Sequence, residues 1–256
     1  MNPILVPTQP IAKRLKNFSE VALGFSKRTA VEEARKFPQG HNPSTQPKCP
    51  LGINILEFIR FLREGDVHEA YKKIREESAL PGVCGRLCLA PCEEEFAIAG
   101  KKMTIDVRAL ERFAADHGRP KFLGRDKLTC AKESVAVIGS GPAGLSAAAV
   151  LAKELFCVTV YESLPLLGGI LRYGIPEFRL PSGVLDAEIE QIRDLGVEFF
   201  TDMTVGRNIT VEGLFDQGFA AVIFAAGKSY PALLDLPGAD APGVFYAQEL
   251  LMKLNF

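Results

Sequence analysis

Residues 135–144 read VAVIGSGPAG, and residues 158–163 read VTVYES. Gly139, Gly141 and Gly144 form G-x-G-x-x-G directly after an apolar run and directly before an alanine-rich stretch, Leu145 to Lys153. The first glycine permits a tight turn, the second lets backbone approach a pyrophosphate, and the third lets a helix pack on the strand. Pro142 and Ala143 then open a helix whose N-terminus faces the phosphates with partial positive charge. Glu162 ends the next apolar run, 18 residues after Gly144. That is the position from which an acid accepts hydrogen bonds from an adenosine ribose. A glycine fingerprint alone says little. Strand, fingerprint, helix, strand and acid in register point to a dinucleotide site.

Around this unit the second half of the chain alternates. Strands are expected near 134–138, 157–161, 197–200 and 220–226, with helices near 142–153 and 183–194 between them, the pattern of a parallel sheet with crossovers. The first half reads as helical: Thr29 to Phe37, then Ile55 to Glu64 with apolar residues at 55, 56, 58, 59 and 62. Gly65 stops that helix, and Asp66 caps the next, to about Ser78. A further helix covers Val107 to Asp116. Residues 38–48 form a polar, Pro-rich loop. The chain is therefore an α+β two-part chain. An α-helical domain over 1–125 precedes a Rossmann-like α/β domain over 126–256, with the boundary in the polar stretch Gly118 to Glu133.

Four of the six cysteines lie in the helical half: Cys49, followed by Pro50, and then Cys84, Cys88 and Cys92 spaced C-x3-C-x3-C. Gly85 and Pro91 argue for a loop that curls thiolates around one centre rather than a continuous helix. Thiolates in such a run suit an iron–sulfur cluster. Zinc favours C-x2-C pairs, which are absent, and unliganded buried thiols remain the third reading. Cys130 and Cys157 are expected to be structural. Without an export signal, six cysteines suggest a reducing, cytoplasmic setting in which thiols bind metal or stay unpaired. The three histidines, His41, His68 and His117, read as solvated. So does the acid run Glu93 to Glu95, and no residue stands out as a general acid or base. A net charge of -1 gives no hint of nucleic-acid binding, and no apolar run is long enough for a membrane helix.

By these residues the chain resembles the glutamate synthase small (beta) subunit family, and also the N-terminal half of dihydropyrimidine dehydrogenase. Residues 14–35, RLKNFSEVALGFSKRTAVEEAR, are similar to the family's opening segment. Residues 49–93, CPLGINILEFIRFLREGDVHEAYKKIREESALPGVCGRLCLAPCE, are similar to its iron–sulfur domain. GGILRYGIPEFRLP at 168–181 is the most specific piece, and FAAGK at 224–228 resembles a second flavin-contacting strand. The resemblance implies FAD at the fingerprint. Its contacts would come from Gly139, Gly141, Pro142, Ala143, Gly144, Glu162, Gly168, Gly169, Ile170, Arg172, Val205, Ala225, Ala226 and Gly227. It also implies a [4Fe-4S] cluster on Cys49, Cys88 and Cys92, with Glu111 as the fourth ligand and Cys84 as its rival.

The family commonly carries two clusters. Here the upstream segment RKFPQGHNPSTQPK has no cysteine, and the last cysteine of the second group falls at Phe96. One cluster is expected. Family chains also continue into a second glycine-rich domain for NADPH, whereas this sequence ends at LMKLNF, so NAD(P)H is expected through a partner or a missing domain. The resulting expectation is an electron-transfer module passing electrons between FAD and one cluster beside other redox subunits. The alternatives are the N-terminal fragment of a complete NADPH-dependent oxidoreductase and a non-catalytic docking or wiring subunit.

Overall fold

The structure is a computed structural model that describes residues 4–37, 49–94, 97–98, 101–102, 105–120, 129–228, 235–239 and 241–255. The chain divides into two compact units: Met1–Leu123 with Phe178–Leu180, and Gly124–Glu177 with Pro181–Phe256.

The first unit contains α1 (Ile11–Arg14), α2 (Lys27–Ala34), α3 (Ile55–Glu64), α4 (Val67–Glu77), α5 (Pro81–Leu87), α6 (Pro91–Glu94), a short hairpin of β1 (Ala97–Ile98) and β2 (Lys101–Lys102), and α7 (Val107–Gly118). The apolar spacing of α3 puts Ile55, Phe58, Ile59 and Leu62 on one buried face. Asn54 accepts from the Glu57 amide at its start, and Gly65, at φ 86°, ends it in the left-handed region. Asp66 caps α4 in the same way. Against α3 pack Ala30 and Ala34 of α2, Ile74 of α4, and Leu110, Phe113 and Ala114 of α7. Glu33, fully buried, ties the elements together: it takes the amide of Asp106, the cap of α7, at 3.1 Å and pairs with Lys36 at 2.6 Å. Phe178–Leu180 joins this unit through the Val21 amide, which donates to the Phe178 carbonyl at 2.9 Å. The Phe18 and Phe178 rings lie 6.2 Å apart.

The second unit is built on a four-stranded parallel sheet in the order β5-β4-β3-β6 among the described residues. Its elements are β3 (Ser134–Ile138), α8 (Pro142–Lys153), β4 (Cys157–Tyr161), α9 (Ile170–Tyr173), α10 (Ser182–Asp194), β5 (Glu198–Phe200), α11 (Val211–Asp216), β6 (Phe219–Phe224) and α12 (Ala247–Asn255). β3 is central and buried from Val135 to Ile138, which is why it reads as a continuous apolar run rather than an alternating one. Ala148, Ala149 and Ala152 give α8 a small-residue buried face. The chain order reverses between β3 and β6, so the carboxyl ends of these strands open a crevice there.

Two expectations change. Gly85 lies inside α5 rather than in a loop: a Cβ on it would fall 2.5 Å from the Arg112 Cα, so the glycine lets α5 and α7 approach. Cys84 is therefore helical. The chain leaves the helix only at Cys88 and turns through Ala90, at φ 53°. Cys130 and Cys157, expected to stay unpaired, form a disulfide. The amides of Ala131 and Lys132 both bond the Leu155 carbonyl, folding the segment before β3 back over the start of β4. His41, residues 38–48 and Phe96 lie outside the described residues. Among the described residues no helix is long and apolar enough to cross a membrane.

Candidate cofactor sites

The parallel register of β3 and β4 pairs Ile138 with Tyr161, so the fingerprint and the acid leave the sheet side by side. The Gly139 amide donates to the Tyr161 carbonyl at 2.8 Å, and the Ala225 amide donates to the Ile138 carbonyl at 2.8 Å. These bonds draw three loops around one cleft of about 680 Å3. Its wall includes Gly139, Gly141, Pro142, Ala143, Glu162, Gly169, Ile170, Val205, Ala225, Ala226 and Gly227.

The glycines have separable reasons. A Cβ on Gly139, which has φ 102°, would collide with the Ala225 carbonyl, and one on Gly144 would collide with the Gly139 carbonyl. A Cβ on Gly169 would reach within 2.8 Å of the Gly141 Cα. Gly141 is different: its Cβ direction meets nothing within 4 Å. It is the N-cap of α8, with no side chain capping the helix and Pro142 following. The first amides of α8 are left to whatever enters that open space, which is how a helix start receives a phosphate. The residues present therefore fit a pyrophosphate.

Gly144, Gly168 and Arg172 stand behind this wall rather than on it. The Arg172 guanidinium donates to the Leu167 carbonyl at 2.6 Å and pairs with Asp186, which turns it away from the cleft. Gly168 donates its amide to the Ser140 hydroxyl at 3.0 Å. Tyr161, Tyr173, Met203, Lys228, Gln248 and Met252 also face the cleft and were not foreseen.

Ser140 is the residue the sequence reading missed. It is fully buried, and both its amide (2.9 Å) and its hydroxyl (2.5 Å) donate to Glu162 Oε2. Glu162 Oε1 accepts from the Leu164 amide at 2.9 Å and the Ser163 hydroxyl at 3.2 Å. A carboxylate offers about four acceptor sites, so these four donors fill it. A ribose hydroxyl reaches Glu162 only by displacing one of them. The exposed Ser163, with the longest bond, is the one most easily displaced. Serine is an unconstrained letter of the fingerprint, so nothing in the motif marks this role.

Cys92 lies buried in the core of the first unit, and Cys49 packs, partly buried, against that core. Burial, followed by the charges of Glu93, Cys49, Cys88 and Glu111, pushes the Cys92 thiol up from 9.0 to about 12. Such crowding of anionic donors in a buried place is what a cationic centre neutralises. No three His, Cys, Asp or Glu side chains among the described residues converge tightly enough for a single metal ion. By residue type, thiols beside carboxylates are the donors that an iron–sulfur core takes.

The Arg108 side chain donates to the Cys88 carbonyl at 3.2 Å and its amide to Glu93 at 2.9 Å, bracing the loop between the cysteines. Glu93, expected to be solvated, is half-buried, and burial raises its carboxyl. His68, also expected to be solvated, has a ring nitrogen 2.9 Å from the Gly118 carbonyl.

Residues 14–122 match the family described as dihydropyrimidine dehydrogenase domain II, 4Fe-4S cluster. Residues 133–253 match the pyridine nucleotide-disulphide oxidoreductase family. A glutamate synthase [NADPH] small chain from Mycobacterium tuberculosis (strain CDC 1551 / Oshkosh) is 34% identical over 251 residues, covering 96% of this chain and 51% of that one. This chain is a homologue of the glutamate synthase small chain.

The small-chain likeness extends to the NADP(+)-dependent formate dehydrogenase subunit beta of Moorella thermoacetica, 34% identical over 232 residues, covering 79% of this chain and 33% of that one. Among solved structures, Mycobacterium tuberculosis FprA in complex with NADPH aligns at a TM-score of 0.45 and 28% identity, over 49% of this chain and 29% of that one. The chain spans about half the length of the small chain it matches and a third of the formate dehydrogenase subunit. Its two parts are a four-iron cluster domain and an oxidoreductase domain of this family.

Proposed function

We propose that this chain is an electron-transfer oxidoreductase module, with one [4Fe-4S] cluster in a domain over 1–125 and FAD in a domain over 126–256. The observation that carries the reading is the buried Cys92 thiol, on which the charges of Cys49, Cys88 and Glu111 bear. We assign Glu111 as the fourth ligand on the charge it brings to the Cys92 thiol, with Cys84 on α5 as its rival. The open space at Gly141 and the acid at Glu162 support FAD as the second group.

When bound, a flavin exchanges electrons in pairs or singly and a cluster exchanges them singly, so the two together join hydride chemistry to one-electron transfer. The protein's own contribution is placement. The start of α8 and the backbone at Gly141 hold the pyrophosphate. Glu162 holds the ribose, and Gly169 lets backbone lie close to the remainder of the flavin, with Gly168 packed behind it against Leu185. Pro142, Ala143, Ile170, Val205, Ala225, Ala226 and Gly227 wall the cleft. Arg172 acts indirectly, by fixing α9 through Leu167 and Asp186. The electron donor is a nicotinamide nucleotide or another redox subunit, and the working setting is a cytoplasmic complex.

Anaerobic reconstitution tests this. The expected product is coloured, carries about four irons and four sulfides per chain, and releases FAD on heating. A colourless protein holding one zinc, or one releasing FMN, refutes it.

A further inference from the structure

The first unit carries a cavity that neither cofactor reading uses. It measures about 500 Å3 and is lined by five arginines, Arg14, Arg86, Arg108, Arg112 and Arg179, against one acid, Glu20. Its remaining wall is largely apolar, with Val6, Val21, Ala22, Ala109 and Phe178.

Two of the arginines form its floor. The side chains of Arg86 and Arg112 are only 5% and 8% exposed, and they stand side by side because Gly85 lets α5 and α7 touch. Glu20 spans them, at 2.8 Å from Arg86 Nε and 3.0 Å from Arg112 Nη2. Asp116 pairs with both from the other side, at 2.9 Å and 3.3 Å. Even so, burial and then the Arg86 charge hold the Arg112 guanidinium below its ordinary value. Glu20 and Asp116 offset Arg86 and Arg112, and Glu93 acts on Arg108, so the excess positive charge rests on Arg14 and Arg179.

A structural ion-pair network accounts for Arg86 and Arg112, but not for Arg14, Arg108 and Arg179 arriving at the same concavity. Arg14 closes the last turn of α1, where a cation is favoured by the helix dipole. Arg179 is held in this unit by the Val21–Phe178 backbone bond. Excess charge of one sign in a concave, apolar-walled site focuses its field outward. Arginine's planar fork suits oxyanions, which it binds through paired hydrogen bonds.

We propose that this pocket binds a small oxyanion of two or more negative charges, a phosphate- or carboxylate-bearing small molecule. The anion lies next to Arg108, which also holds the Cys88 carbonyl, so its occupancy bears on the loop between Cys88 and Cys92. The proposal does not depend on the identity of either cofactor.

The test is calorimetric titration of the full chain with pyrophosphate and, separately, citrate, in chloride buffer at fixed ionic strength. Saturable binding of either anion is expected, pyrophosphate alone marking a phosphate ligand and citrate alone a carboxylate. Arg14→Gln with Arg179→Gln, both exposed and outside the ion-pair network, should weaken it about tenfold or more without changing the melting temperature. Gly141→Val, which fills the glycine cleft and removes any pyrophosphate bound there, should leave citrate binding and the arginine-dependent pyrophosphate binding unaltered. The proposal falls if neither anion saturates below about 10 mM. It falls equally if no part of the binding depends on the arginines, or if the arginine-dependent part is lost with Gly141→Val.

Discussion

Ser140→Ala removes the one hydroxyl that joins the fingerprint loop, the acid and the second glycine loop. The hydroxyl donates to Glu162 Oε2 at 2.5 Å and accepts from the Gly168 amide at 3.0 Å, in a place with no solvent exposure. A hydrogen bond to a charged group contributes roughly 1.5–3 kcal/mol, and a buried donor left unsatisfied costs about 1–3 kcal/mol. Glu162 keeps its bonds from the Ser140, Leu164 and Ser163 donors, so the losses do not add in full. We expect a net destabilisation of about 2–4 kcal/mol in the second unit. A chain of two units does not report a single unfolding free energy. The assay is therefore native-state hydrogen exchange at amides of β3 and β4, which reads the opening free energy of this unit directly. The Gly168 amide should also lose protection, to a greater degree than its neighbours. A change below about 0.5 kcal/mol at β3, the size of an ordinary surface substitution, would falsify the bridging role.

Ser163→Ala vacates one acceptor site on Glu162 Oε1, so FAD affinity should hold or rise by up to about fivefold, read by flavin fluorescence titration; a tenfold loss would mean that Ser163 itself contacts the ligand. Cys49→Ala, Cys88→Ala, Cys92→Ala and Glu111→Ala should each abolish or reduce iron content after reconstitution, whereas Cys84→Ala should retain it; the reverse pattern at 84 and 111 exchanges their assignments. Cys130→Ser should destabilise the second unit by about 2–4 kcal/mol under oxidising conditions and have no effect once reductant is present, which hydrogen exchange with and without reductant checks.

The sheet was legible because its signals are local. A buried β3 must be continuously apolar, and the glycines are required wherever a Cβ would meet backbone, as at Gly139 and Gly144. The helix caps at Asn54 and Asp66 are equally local. What escaped the sequence depends on tertiary approach. Gly85 looked like a helix breaker, but the contact of α5 with α7 gives it a packing role that outweighs its propensity cost. The Cys130–Cys157 pair required knowing that the segment before β3 folds over the start of β4. Arg172 sits in the most family-specific stretch, yet Asp186, fourteen residues on, takes its guanidinium. Only Arg108 and Arg112, four residues apart on α7, share a helical spacing; Arg14, Arg86 and Arg179 come from three other segments, so the clustering could not be read from the sequence.

Phe178–Leu180 gives the gene a constraint that neither half shows alone. These three residues complete the helical unit, although they are encoded more than fifty codons after Leu123. A reading frame cut after codon 123 therefore specifies a helical unit in which the Val21 amide has lost its carbonyl and Phe18 its ring neighbour. The two units are not separable cassettes. Recombination between related genes that breaks anywhere from codon 124 to codon 177 sets Phe178–Leu180 of one parent against Val21 and Phe18 of the other. Chimeras with crossovers before codon 14 or after codon 180 keep those partners matched.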